Sequence, residues 1–219
     1  MTANKKEGTT DPHSLASKES SNSSNPRTGK KPFYYGWVIV VLCLLLITNT
    51  YGIRFSFGVF FKSLEQDFDL TRALTSGIFS VYMLLGSVFA LAGGWMADRY
   101  GPRIVLLIMG GFTFLGLVLS SQVVTLWHLF LSYSLLVGIG TGPTYVVATS
   151  IATRWFQKRR GLALAIVTCG VGLGSILLAP VAAYLIENYD WRFSFIIIGL
   201  IALVIMIPCS LFLKNLRVR

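Results

Sequence analysis

The sequence predicts an all-α membrane protein of six transmembrane helices, arranged as two inverted three-helix repeats. Three observations lead there. The 219-residue chain is 54% hydrophobic and only 13% charged, with a mean hydropathy of +0.67, which leaves too little polar surface to cover a water-soluble domain. Six apolar runs of bilayer length are separated by short charged or turn-forming segments. A shift of 88 residues lays Arg72 on Arg160, Leu85-Gly86-Ser87 on Leu173-Gly174-Ser175 and Gly111 on Gly199. It pairs the second run with the fifth, which cross in opposite directions.

Composition also narrows the function. The formal charge of +10 is carried by short basic clusters beside apolar runs, without the continuous solvated face that nucleic acid requires. Cys43, Cys169 and Cys209 fall in three separate runs with no Cys/His ligand spacing, so free thiols and no metal site are expected. His13 and His128 sit near no nucleophile, and no carboxylate pair faces a soluble pocket. No catalytic residue and no cofactor are therefore expected, and the chain does not read as an enzyme.

Residues 1–32 are rich in Ser, Asn, Thr and Lys and read as a disordered cytoplasmic tail; 33–213 is the six-span domain and 214–219 a short cytoplasmic end. Span 1 runs from about Tyr35 to Phe61, with Tyr34, Tyr35 and Trp37 as an interfacial belt. On a helical projection Cys43, Ile47, Tyr51, Arg54 and Gly58 share one face. Arg54 then either points into protein or water as part of a substrate cavity with Tyr51, or snorkels to the outer surface, where Glu65, Asp67 and Asp69 could neutralise it. Phe61 to Leu70 reads as an acidic amphipathic connector.

Span 2, Thr71 to Ala97, places Gly86, Ala90 and Gly94 on one face where another helix can approach closely. Span 3 covers Ile104 to Ser121, and Gln122 to Thr125 forms a minimal turn into span 4, about Leu126 to Thr153. Pro143 should kink or locally open span 4. Thr141, Tyr145 and Thr149 on one face of it could line a cavity, while helix packing alone would account for its glycines. A basic stretch, Arg154 to Arg160, leads to span 5, Gly161 to about Ile186, whose Gly170-Val171-Gly172-Leu173-Gly174 reads as a helix-packing face. Span 6 runs from Phe193 to about Leu213.

Sorted by side, fifteen of the 19 Lys and Arg fall with the two termini, against Lys62, Arg72 and Arg192 on the other side and Arg54 inside a span. This asymmetry places both termini in the cytoplasm of a multi-pass plasma-membrane protein.

The turn Gly94-Trp95-Met96-Ala97-Asp98-Arg99-Tyr100-Gly101-Pro102-Arg103 carries the pattern G-x-x-x-D-R-x-G-x-R. It resembles the signature loop between spans 2 and 3 of the major facilitator superfamily of secondary transporters, on Gly94, Asp98, Arg99, Gly101 and Arg103. The alternative is a plain topogenic loop that collects Arg and a turn. Tyr34-Tyr35-Gly36-Trp37-Val38-Ile39-Val40, Ser56-Phe57-Gly58-Val59-Phe60-Phe61, and Trp155-Phe156-Gln157-Lys158-Arg159-Arg160-Gly161-Leu162-Ala163 resemble stretches of the monocarboxylate porter and oxalate/formate antiporter branch. The last of these marks Phe156, Lys158, Arg159 and Arg160 as a cytoplasmic family motif. Ser134 stands where many proton-driven members have an Arg.

The resemblance implies the amino-terminal six-helix half of a twelve-span transporter. It implies secondary transport of a small organic anion, by alternating access around a midplane site built mainly by spans 1 and 4, with a proton as a candidate coupled ion. The partners so implied are the anion, the lipid bilayer and a second six-helix half or a second copy of the chain. The competing expectation is a non-transporting six-span remnant or accessory membrane subunit.

Overall fold

The computed structural model describes residues 33–68, 71–156 and 159–213. The expected tail, Lys158 and the segment 214–219 lie outside them. Among the described residues the regular structure is helical throughout, in six helices long and apolar enough to cross a membrane: α1 (Phe33–Phe68), α2 (Arg72–Tyr100), α3 (Pro102–Ser121), α4 (Leu126–Trp155), α5 (Arg160–Asn188) and α6 (Trp191–Phe212). A bilayer offers the backbone no water to bond, so a spanning segment of this composition satisfies its own amides as a helix.

The expected connector after Phe61 is instead the continuation of α1, which runs unbroken to Phe68. Charged side chains end the apolar run there, but none of Lys62, Ser63, Leu64 or Glu65 interrupts a helix. The spacing of Phe60, Leu64 and Phe68 keeps one face apolar. Phe60 stacks on Phe195 of α6 with ring centroids 4.0 Å apart, Leu64 is fully buried, and Phe68 meets Trp191 edge-on at 6.0 Å. Trp191 donates its indole N–H to Asp67, tying the end of α1 to the start of α6.

Small residues set the helix spacings. A Cβ on Gly142 would lie 2.2 Å from the Gly86 carbonyl oxygen, so α2 and α4 touch backbone to backbone. Gly170 and Gly174 do the same for α5 against Leu44, Thr48 and Gly52 of α1, whereas Gly172 faces open space. The expected packing face of span 5 therefore consists of two of its three glycines. Helices packed in lipid gain little from excluding water, so such close van der Waals contact is a main source of their association.

Helix α4 departs from regular geometry twice. Phe130–Val137 winds as a π-helix, a feature the sequence reading missed. At Gly142–Pro143 the α-helical pattern is interrupted between Thr141 and Thr144, because Pro143 has no N–H to give. The ladder resumes at once, with Val147 N–H donating to the Pro143 carbonyl at 3.0 Å.

Burial is uneven. In their most apolar windows α1 and α4 are 61% and 56% buried, while α2 and α5 are only 17% and 28% buried. Within the described residues α2 and α5 are thus the least covered of the six.

Candidate functional site

A cavity of about 180 Å³ lies where α1, α2 and α4 meet. Helix α1 contributes Thr50, Tyr51 and Arg54; α4 contributes Thr141, Gly142, Tyr145 and Val146. The four residues singled out in the sequence, Tyr51, Arg54, Thr141 and Tyr145, all line this one space. Thr149 does not; its hydroxyl bonds back to the Tyr145 carbonyl at 2.8 Å. Helix α2 supplies a third wall that sequence reasoning missed, with Tyr82, Met83, Gly86, Ser87 and Ala90. Their spacing of 0, 1, 4, 5 and 8 marks one helical face, and a Tyr and a Ser on it were the available signal.

Arg54 is half-buried and touches Met83 and Tyr51. Its guanidinium donates to the Met83 sulfur and lies 5.4 Å from the centroid of the Tyr51 ring. A thioether is a poor acceptor, and a ring face offers only a quadrupole. Among the described residues Arg54 has no carboxylate within ion-pair distance; the ion pair found there joins Asp98 and Arg154. Asp67, one of the acidic residues that could have drawn Arg54 outward, accepts instead from Trp191.

Three of the six hydroxyls lining the cavity donate within the protein. Thr141 donates to the Val137 carbonyl at 2.8 Å, so in its 2.8 Å contact with Tyr82 it is Tyr82 that donates. Ser87 donates to the Met83 carbonyl at 2.8 Å. Tyr145 sets its ring edge-on to Tyr51, centroids 6.0 Å apart. The wall therefore combines one cation without a carboxylate partner among the described residues, three tyrosines and a flexible thioether. Ser134, just behind it, donates to the Ile78 carbonyl at 2.8 Å.

The second cluster of expected residues sits at the turn between α2 and α3. Gly101 adopts φ +91, a conformation open to a residue without Cβ, and Pro102 starts α3 with its ring already at the helical φ. Gly94 lies against α4, since a Cβ there would stand 3.4 Å from Val146. Asp98 accepts from Arg154 at the end of α4 at 2.6 Å. Arg99 lies over the rings of Trp95 and Tyr100, at 5.4 and 6.0 Å, and among the described residues makes no such bridge to another helix. The Arg103 Nε is buried without a hydrogen-bond partner.

In the linker to α5, Phe156 packs edge-on to Trp37 at 5.7 Å and closes over Gly36, where a Cβ would be 3.1 Å from its ring. Arg159 and Arg160 are exposed. The motif residues thus divide between packing, for Phe156, and surface charge, for the two arginines.

Comparison with known proteins gives a consistent picture. Residues 37–218 match the model of the protein family described as the Major Facilitator Superfamily. Over 182 residues, 83% of this chain, the sequence is 31% identical to monocarboxylate transporter 13 of Bos taurus, of which it covers 42%. It is 30% identical, over the same share of the chain, to monocarboxylate transporter 11 of Homo sapiens, of which it covers 38%. The chain thus spans about two fifths of the length of the curated relatives it matches. Among solved structures it resembles the POT family transporter PepTSo, with a TM-score of 0.65 at 18% identity over 82% of this chain and 36% of that one. It also resembles the xylose transporter XylE from E. coli in an inward open conformation, with a TM-score of 0.64 at 17% identity over 78% of this chain and 47% of that one. At such identities the likeness is one of fold.

Proposed function

Because the chain belongs to the major facilitator superfamily, we propose that its six spans form one side of a secondary transporter for a small organic anion, the Arg54 cavity being the anion's site. The observation that carries this reading is the state of Arg54. A permanent cation half-buried between helices, in contact with the Met83 sulfur and with Tyr51 and with no carboxylate in ion-pair distance among the described residues, gains strongly from an incoming carboxylate, because a charge-assisted pair strengthens as the local dielectric falls. The similarity to monocarboxylate transporters agrees with a carboxylate as that anion. Among the described residues the wall holds no Asp, Glu or His, so a coupled proton would travel on groups other than these.

The described lining comes from α1, α2 and α4, and transport by alternating access needs an opposite wall. A second set of six helices, or a second copy of the chain, would supply it. The faces of α2 and α5, the least covered of the six, are the surfaces it would dock on. The signature loop would then act at one end of the bundle, its Asp98–Arg154 pair biasing the equilibrium between two orientations. The positive-inside pattern supports an orientation with this loop and both termini in the cytoplasm, and the membrane of this reading is the plasma membrane.

The test is substitution of Arg54 in a reconstituted transporter with uptake of labelled lactate, formate or oxalate. Arg54→Lys keeps the charge but loses the planar fork, and should raise the apparent KM about tenfold, the equivalent of one charge-assisted hydrogen bond. Arg54→Gln should abolish recognition. Unchanged uptake by both variants would remove the anion from this cavity and leave Arg54 as an anchor.

A further inference from the structure

Resting on that anion-site reading, we infer that the preferred ligand carries a single carboxylate on an aromatic or flat apolar body, and that compact formate and oxalate are poorer fits. The argument starts from what the wall has left to offer. Among the described residues Arg54 is the only cation lining the cavity. The hydroxyls of Tyr82, Thr141 and Ser87 already donate to other groups of the protein. One carboxylate can therefore be met by a planar donor set. The second carboxylate of oxalate would find no second cation among the described lining residues, only the hydroxyls of Thr50, Tyr51 and Tyr145, ring faces and glycine, and a charge without a counter-charge in such surroundings is costly.

The rest of the space suits an apolar plate. Tyr51 and Tyr145 stand edge to face 6.0 Å apart, an arrangement that leaves ring surface for a third aromatic group. Met83 has three rotatable side-chain bonds and a polarisable sulfur, so it can move off Arg54 and re-pack against a ring. At Gly86 a Cβ would meet nothing closer than 3.7 Å, and with Gly142 and Ala90 also lining the cavity these three positions leave flat space between the larger side chains. A volume of about 180 Å³ would be left largely unfilled by formate beside Arg54, forfeiting the contacts that an apolar body makes.

The experiment measures thermal protection of the purified 219-residue protein in mild detergent by phenylacetate, formate and oxalate, for wild type, Arg54→Gln, Tyr145→Ala and Tyr145→Phe. Phenylacetate should reach half-maximal protection at about a tenfold lower concentration than either small anion. Tyr145→Ala should raise that concentration about fivefold for phenylacetate while changing the formate value by less than about twofold, and Tyr145→Phe, which keeps the ring, should behave as wild type. Arg54→Gln should abolish protection by all three. Equal or tighter binding of formate or oxalate, still dependent on Arg54, would overturn the ligand class and leave the anion site standing. A Tyr145→Ala loss shared equally by the three anions would also overturn it. Absence of protection by any of them, or protection indifferent to Arg54→Gln, would overturn both this inference and the reading beneath it.

Discussion

Consider Gly174→Ala in α5, with Gly172→Ala two positions away as its control. A Cβ at position 174 would stand 2.4 Å from the Thr48 carbonyl oxygen, 2.7 Å from the Gly52 nitrogen and 3.3 Å from the Gly52 Cα. All three are backbone atoms of α1, so no side chain can swing aside, and ordinary contact begins at 3.4 Å. Relief requires α1 and α5 to part by about 1 Å at this level, an overpacking strain of roughly 1–3 kcal/mol. At Gly172 nothing lies within 4 Å, so only the better helix propensity of Ala acts, worth up to about 1 kcal/mol in favour. The same propensity gain offsets part of the strain at 174, leaving the two variants roughly 1–3 kcal/mol apart. Unfolding of the purified protein by SDS titration reads the difference directly: the midpoint should fall for Gly174→Ala and stay level or rise for Gly172→Ala. Because Gly52 precedes Arg54 by half a turn, the same displacement should weaken anion protection in the 174 variant. Equal midpoints for the two variants would refute the idea that backbone contact at Gly174 sets the α1–α5 spacing.

Two further outcomes follow from the geometry. Asp98→Asn should slow transport in a reconstituted system while leaving expression and insertion nearly normal, since the pair with Arg154 is more than half exposed on both sides and such pairs contribute at most about 1 kcal/mol to folding; exchanging the two residues, Asp98→Arg with Arg154→Asp, should recover much of the rate, and loss of insertion in Asp98→Asn would favour a purely topogenic loop. In a background with Cys43, Cys169 and Cys209 replaced, single cysteines at Gln122 and Lys158 should react with an impermeant thiol reagent from outside and inside respectively, and reversed labelling would overturn the proposed orientation.

Much of the architecture was readable because a bilayer imposes length on its crossings: each apolar run predicted a span, and errors fell at the ends. Helix α1 overran its expected limit by seven residues, Lys62 to Phe68, since hydropathy reports where lipid stops and says nothing of where a helix stops. Tyr51, Arg54, Thr141 and Tyr145 stood out as polar groups in apolar helices, and the fold brings them to one cavity. Tyr82, Met83 and Ser87 escaped notice because α2 was read by its small residues; the contact of Gly86 with Gly142 that turns this face to the cavity joins positions 56 apart. The Arg154 partner of Asp98 is equally remote in sequence. The π-helical stretch Phe130–Val137 carries neither Gly nor Pro, so no local marker announced it.

The overrun of α1 has a mechanical consequence. From Arg54 to Phe68 the helix extends about 21 Å, so pivoting it by about 10° at Arg54 would sweep its tip through roughly 4 Å. A hydrogen bond such as that from the Trp191 indole to Asp67 does not survive a displacement of that size. The stacked rings of Phe60 and Phe195 would have to slide apart with it. Helix α1 is in effect a lever latched at its far end to α6, and a push on that tip is passed to the other helix before it can bend the cavity wall. Any reorientation that keeps the latch shut must carry α1 and α6 together, as one stiff frame.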